Sequence, residues 1–358
     1  MVAALAQSPA LGRLRDALFG SVANTATTVA ILALALWLVP PFLDWALWQA
    51  RWLVSDPREC RSAAGACWAF VAERHRFMLL GTYPYGEQWR AAAAVALVVA
   101  LWIATARARL APRRLALAWV AGLGAAYVLL RGGLAGLSPV EPERWGGLVL
   151  TLILATVGAA LAFPLAVLLA LGRRSTLPAV RWLCIAYIEL VRGVPLVSLL
   201  FMASVLLPLF LPEGVTLDKL VRAQIALVAF AAAYLAEVVR GGLQAVPRHQ
   251  YEAAEALGLG YWPRMVGVIL PQALRIAIPP LVNTFIGLLK DTSLVVVIGL
   301  FDLLTAVKVS LQDPAWSGFG VEAYLFASLV YFAFCGALSR WSLRLERDPA
   351  TAALRIGA

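Results

Sequence analysis

Eight long apolar runs, each helical in length, constrain this chain more than any other feature. They cover about Val22 to Val39, Arg90 to Ala106, Leu115 to Leu130, Gly147 to Leu171, Trp182 to Leu211, Gln224 to Val239, Leu274 to Leu300 and Val321 to Trp341. Roughly 20 apolar residues carry a helix across a hydrocarbon core of about 30 Å. The runs are too long and too evenly apolar to be the short alternating strands of a membrane barrel. In lipid every backbone group must find its partner inside the structure, and a helix supplies those partners along its own length. The expected fold is all-α and integral to the membrane, with about eight transmembrane helices. Composition agrees: 14% of residues are charged, where a soluble domain carries roughly 25%, and mean hydropathy is +0.82. Pro40-Pro41 is expected to end the first span and Pro164 to kink the fourth, while the fifth run is long enough to tilt or break.

The net charge of +10 suggests nucleic acid only until its distribution is read. With the N-terminus inside, the cytoplasmic segments collect Arg13 and Arg15, Arg107 to Arg114, Arg173, Arg174 and Arg181, four arginines from Arg240 to Arg275, and Arg340, Arg344, Arg347 and Arg355. The three short outer loops hold only Arg131, Arg144, Lys219, Arg222 and Lys308. Short loops carry most of the orienting weight in the positive-inside rule. Both termini and the 241–272 segment are therefore expected in the cytoplasm, and residues 42–90 outside it.

That outer segment carries Trp45, Trp48, Trp52, Trp68 and Trp89, an aromatic content suited to pieces lying at a membrane surface. It also holds Cys60 and Cys67. An oxidising compartment would permit a disulfide there, but spacing alone does not decide it. Cys184 and Cys335 lie in apolar runs and read as small packing residues. With only His75 and His249, no spacing suits a metal ion. No signal-peptide cleavage pattern precedes the first span. Residues 1–140 contain three spans almost free of intramembrane charge and read as an N-terminal extension. Residues 141–345 are a five-span core with polar residues, Pro and Gly at defined places, followed by a tail at 346–358.

One polar, Gly- and Pro-punctuated segment interrupts this core at 241–272. Pro247 can open a helix in its first turn. Gln250 to Leu257 is rich in Ala and Glu, strong helix formers. Gly258 suits a left-handed helix stop. Pro263 can restart a helix running to about Leu270, before Pro271 re-enters the membrane. The expectation is a short helix, a sharp turn and a second short helix displayed to the cytoplasm. An ordinary loop with helical content would read much the same.

The spacing of Glu252-Ala253-Ala254, Gly258, Val268 and Leu270-Pro271 resembles the EAA motif of ABC-importer membrane subunits, with Val268 where the pattern has Ile. Further stretches, Ala233 to Gly241, Gln250, Leu270 to Gln272, Lys290 to Leu294 and Glu189 to Pro195, resemble the polar amino-acid importers, of histidine, glutamine, glutamate and general L-amino-acid type. The resemblance covers about residues 146 to 345, and the long extension looks like the general L-amino-acid subgroup. It implies a type I importer core whose segment at Glu252, Ala253, Ala254, Gly258, Leu270 and Pro271 couples to a separate ATPase. It also implies a second permease subunit, a related chain, and a periplasmic amino-acid-binding protein.

Charge inside a span is costly and usually faces a partner or a cavity. Glu189 and Arg192, three residues apart, either pair structurally or border the substrate path. Lys290-Asp291-Thr292-Ser293 breaks the seventh span with four polar residues in a row, as a helix opened around a cavity would. In the resemblance's terms, Asp291 would accept a substrate ammonium while hydroxyls meet its carboxylate. Glu237 and Arg240 read instead as anchors between bundle and coupling segment.

No Gly-x-x-x-x-Gly-Lys-Ser/Thr occurs, and none of Lys219, Lys290 and Lys308 follows a Gly. This chain is expected to bind no cofactor and to be no enzyme; ATP and Mg would sit on the partner ATPase. The rivals are an ion-gradient secondary transporter, which should show an internal repeat, and a structural or assembly membrane protein. Which amino acids are carried does not follow from these residues.

Overall fold

A computed structural model describes residues 9–54, 56–107, 112–134 and 136–346. Arg109, Arg347, Arg355 and the tail beyond Glu346 lie outside the described residues. Among those described, helices account for the whole of the regular structure. Seven are long and apolar enough to cross a membrane, and one bent pair brings the number to eight.

The chain forms two compact units, Met1–Glu73 with Pro314–Glu322, and Arg74–Asp313 with Ala323–Ala358. This division follows contacts, whereas the boundary near residue 140 follows composition.

In the first unit, α1 (Pro9–Phe19) leads into α2 (Val22–Leu43), which Ser21 caps by accepting the Asn24 N–H at 3.1 Å. The expected stop at Pro40-Pro41 does not occur. The helix runs on to Leu43 and then widens into a π-turn over Asp44–Trp48. The two prolines withhold only their own N–H groups; their carbonyls still receive the Asp44 N–H. After a five-residue helix, α3 (Pro57–Arg61), a disulfide joins Cys60 to Cys67 with Cα atoms 5.6 Å apart. The Cys67 N–H donates to the buried Glu322 carboxylate at 2.9 Å, and Arg61 donates to the carbonyls of Pro314 and Ala315. Phe70 packs on Trp316 and Phe319. The segment thus carries a small stapled core of its own, with Trp48 and Trp52 exposed.

In the second unit, α4 (Trp68–Leu80) enters from the first, and α5 (Gln88–Arg107) packs with α6 (Pro112–Arg131). Arg90 is fully buried there, its Nε donating to the Leu129 carbonyl at 2.7 Å and its Nη1 to that of Ser138 at 2.9 Å. Helix α7 (Gly147–Arg173) runs through Pro164 without interruption. The fifth span does break: α8 (Pro178–Gly193) and α9 (Leu196–Val205) meet at 104°. Gly193 ends the first, and Pro195, lacking an N–H, caps the second in extended backbone.

Helix α10 (Lys219–Ala245) makes the central packing with α7. On α7 the buried positions Leu150, Leu154, Gly158, Ala162, Ala166 and Ala170 recur every fourth residue. On α10 so do Ala223, Leu227, Ala231, Leu235, Val239 and Leu243. Rows of this spacing interlock as ridges and grooves. Their small residues let the backbones approach, which matters in lipid, where apolar contact alone does not favour protein over tails.

Candidate coupling segment and charged groups of the transport path

Beyond α10, Pro247 stands in extended backbone and caps α11 (Arg248–Ala256). The helix stops as its glycine demands. Gly258 has φ +74°, its N–H reaches the Glu255 carbonyl at 2.9 Å, and the Leu259 N–H reaches that of Ala254 at 3.1 Å. These two bonds form a Schellman closure, which satisfies carbonyls that a helix end otherwise leaves bare.

The chain turns and restarts as α12 (Tyr261–Arg264), with Pro263 inside it and not at its start. The second helix does not end near Leu270. A π-turn over Met265–Ile269 leads into α13 (Leu270–Ile276), and α14 (Ile278–Asp291) follows. The wide turn, with the Leu270 N–H on the Met265 carbonyl, accommodates the ring of Pro271 and its missing donor.

Several contacts hold α11 to the bundle. The Tyr251 hydroxyl donates to the Leu243 carbonyl of α10 at 2.8 Å, and Arg174 donates to that hydroxyl at 3.2 Å. Gln272 donates to Gln250 at 3.2 Å, and Arg264 pairs with Glu255 at 3.1 Å. Ala254, Met265 and Ile269 are buried. What remains outward is a mixed surface: Glu252 and Ala253, with Leu257 80% exposed and Trp262 60% exposed. Leu270 is half-buried and Pro271 exposed.

Glu189 and Arg192 do not pair with each other. Arg173, the last residue of α7, donates to Glu189 at 2.9 Å, while Arg192 lies 3.8 Å from Glu237 and over the Tyr234 ring. Glu237 is the hub, its side chain only 15% exposed. Its Oε2 accepts from Arg240 Nη2 at 2.8 Å and Nε at 3.0 Å. Its Oε1 lies 2.8 Å from Arg173 Nη1, close enough for an ion pair, yet no N–H is aligned with it for a hydrogen bond. The three arginines and two glutamates named here therefore join α7, α8 and α10. Arg173, counted in the sequence only as a span-end charge, is the member that sequence reasoning missed; nothing in its local pattern sets it apart from Arg174.

The quartet in the seventh span marks a change of helix type. Helix α14 ends at Asp291, and Thr292–Ile298 continues as 3₁₀-helix until Gly299 closes it at φ +77°. Thr292 is buried, its hydroxyl on the Leu289 carbonyl at 2.8 Å, and Asp291 is half-buried. Lys290 and Ser293 instead line an open groove of about 430 Å³, with Tyr324, Ser328 and Tyr331 among its other walls. Two turns of structure support this wall. Asp302 caps α15 (Leu303–Ser310), accepting from the N–H groups of Leu304 and Thr305 at 3.0 Å each. Thr151 accepts the Leu303 N–H at 3.0 Å, and Tyr331, on α16 (Gly320–Glu346), donates to Asp302 at 3.4 Å. An Asp before an apolar run with Thr three residues on was a legible capping signal; the tyrosines carried none.

Residues 162–348 match the family model described as binding-protein-dependent transport system inner membrane component. The inner membrane amino-acid ABC transporter permease protein YhdY of Escherichia coli (strain K12) is 49% identical over 345 residues, 95% of this chain and 93% of its own length. The glutamate/glutamine/aspartate/asparagine transport system permease protein BztC of Rhodobacter capsulatus is 37% identical over 96% of this chain and 95% of its own. A probable glutamine ABC transporter permease of Bacillus subtilis, GlnP, is 35% identical, and its match takes 91% of its own length but 56% of this chain.

Proposed function

The chain belongs to the family of binding-protein-dependent transport system inner membrane components, as a permease subunit of an ABC importer, and we propose that it carries polar or general L-amino acids and is driven by a separate ATPase chain gripping Glu252 to Gly258. The observation that carries this reading is the built character of the coupling segment. A Schellman-closed helix, tied down by Tyr251 and Gln250, presents Glu252, Leu257 and Trp262 outward. A helix fixed on one side and exposed on the other transmits a push, where a slack loop would absorb it.

The cycle then follows from rigid-body motion. Two permease subunits, of which the second is a related chain, receive substrate from a periplasmic binding protein. Closure of the ATPases on ATP and Mg draws the coupling segments together and rocks the cores between inward- and outward-facing states. Both termini and the coupling segment lie in the cytoplasm. Within the path, the Lys290 ammonium and the hydroxyls of Ser293 and Ser328 suit a substrate carboxylate, and Asp291, next in sequence to Lys290, suits its ammonium.

The test is uptake of labelled amino acids into proteoliposomes holding the permease pair, the ATPase and the binding protein. Glu252→Lys, which reverses charge on the exposed face, and Gly258→Asp, which puts a side chain at φ +74° at a cost of roughly 1–2 kcal/mol, should each cut ATP-driven uptake about tenfold or more while the protein still inserts. Wild-type uptake in both variants overturns the coupling role. Uptake driven by an ion gradient without ATP overturns the ABC reading.

A further inference from the structure

The Glu237 cluster holds an unevenness that a purely structural ion-pair network would not need. One guanidinium nitrogen, Arg173 Nη1, stands 2.9 Å from Glu189 and 2.8 Å from Glu237. Its hydrogen bond is aligned with Glu189. On Glu237 the other oxygen is taken twice by Arg240, and Oε1, though buried, has no aligned hydrogen bond. A buried carboxylate oxygen without a donor is costly, of order 1–3 kcal/mol. A small rotation of Arg173 toward Glu237 would satisfy that oxygen and release Glu189. The contact thus admits two arrangements, differing in which helix the end of α7 is bonded to, α8 or α10.

The next residue, Arg174, bonds Tyr251, the residue immediately before the Glu-Ala-Ala motif. Adjacent residues at one helix end therefore hold the segment after α10 on one side and the charge cluster on the other. We propose that Arg173 is a two-position latch: movement of the coupling segment, felt through Arg174, shifts its hydrogen bond between Glu189 on the broken span and Glu237 on α10. The latch is a positioning device and touches no substrate. Physical coupling needs an element with two discrete arrangements that both sites bias, and a guanidinium shared between carboxylates on two different helices offers such an element. The inference rests on the permease reading above.

Its signature is a difference of sign. Glu189→Gln weakens one arrangement and Glu237→Gln the other, with little change in volume. In proteoliposomes with the ATPase and no substrate, one variant should raise basal ATP hydrolysis and the other lower it, each by about fivefold, the lower range of allosteric coupling. Arg173→Ala should leave hydrolysis running with uptake lost, whereas Arg173→Lys, a point charge without the planar fork, should restore part of the uptake. Equal shifts of the same sign in both glutamine variants, with wild-type uptake intact, overturn the latch and leave the permease reading standing. Absence of ATP-driven uptake in the wild type overturns that reading and the latch with it.

Discussion

Helices α2 and α10 are both long, apolar and composed mostly of Ala, Leu and Val, yet they are built for opposite surroundings. Within the most apolar stretch of each span, 6% of the α2 region is buried and 50% of α10. The apolar residues of α2 show no favoured side, and none of its residues is buried. Those of α10 follow one four-residue row, matched by a row of small residues on α7, with Glu237 and Arg240 set beside it. The Bacillus subtilis relative accounts for nearly all of its own length with little more than half of this chain. The family match at 162–348 likewise leaves the first spans out. Hydrophobicity places a helix in the membrane; patterned small residues and paired charge make it part of a machine.

The largest effect should come from disturbing the patterned region. A Cβ at Gly242 would stand 2.5 Å from the Ala273 carbonyl oxygen and 3.0 Å from the Ala277 Cβ. Backbone cannot yield as a side chain does, so Gly242→Val should cost about 1–3 kcal/mol by overpacking and part α10 from α13. ATP-driven uptake should fall about tenfold or more, together with the melting temperature in detergent. An unchanged melting temperature would show that α13 moves freely there, and the contrast between patterned and unpatterned helices would weaken.

A smaller effect is expected at the staple. The disulfide closes a short loop, for which the chain-entropy relation gives about 2.5 kcal/mol. Because the loop lies in its own compact unit, that stabilisation is local. Replacing Cys60 and Cys67 together by Ser should speed hydrogen exchange across residues 51–67 and change uptake by no more than about twofold. Uptake lost in that variant would give the extension a direct part in transport.

These same regions show what could be read in advance. The span number, the break in the fifth run, the left-handed stop at Gly258 and the helical restart after it all follow from local chemistry, in which one residue type suffices. The failures share another cause. Pro40, Pro41 and Pro271 promise helix ends by their missing donors, but the helix runs through Pro40 and Pro41 to Leu43, a wide turn precedes Pro271, and no single residue announces a π-turn. Lys290 to Ser293 reads as one polar block; the change from α to 3₁₀ geometry turns Lys290 and Ser293 to the open groove and buries Thr292. Arg173 gains its place only because α8 and α10 bring carboxylates to it from positions 189 and 237. Long-range pairing of charge has no local pattern, so the short helix, turn and second helix at 248–264 were legible and the charge hub was not.

The smallest effect belongs to α1 and α2, and it tests the opening contrast most directly. Residues 9–48 include no disulfide cysteine, and their side chains supply little to the buried set beyond Ala46. If burial and patterning mark the working parts, a chain beginning at residue 49 after a short leader should insert, bind its ATPase and support uptake within about twofold of the full chain. The comparison is made at equal surface density in proteoliposomes, since loss of a span alters expression before it alters transport. Deleting a single span changes the number of crossings before α5, so the leader must supply one inert apolar helix to keep the remaining spans in their orientation. With that helix present and uptake lost, α2 must make a specific contact through one of its exposed faces. With uptake kept, α2 serves by length and hydrophobicity alone, and any apolar helix can take its place.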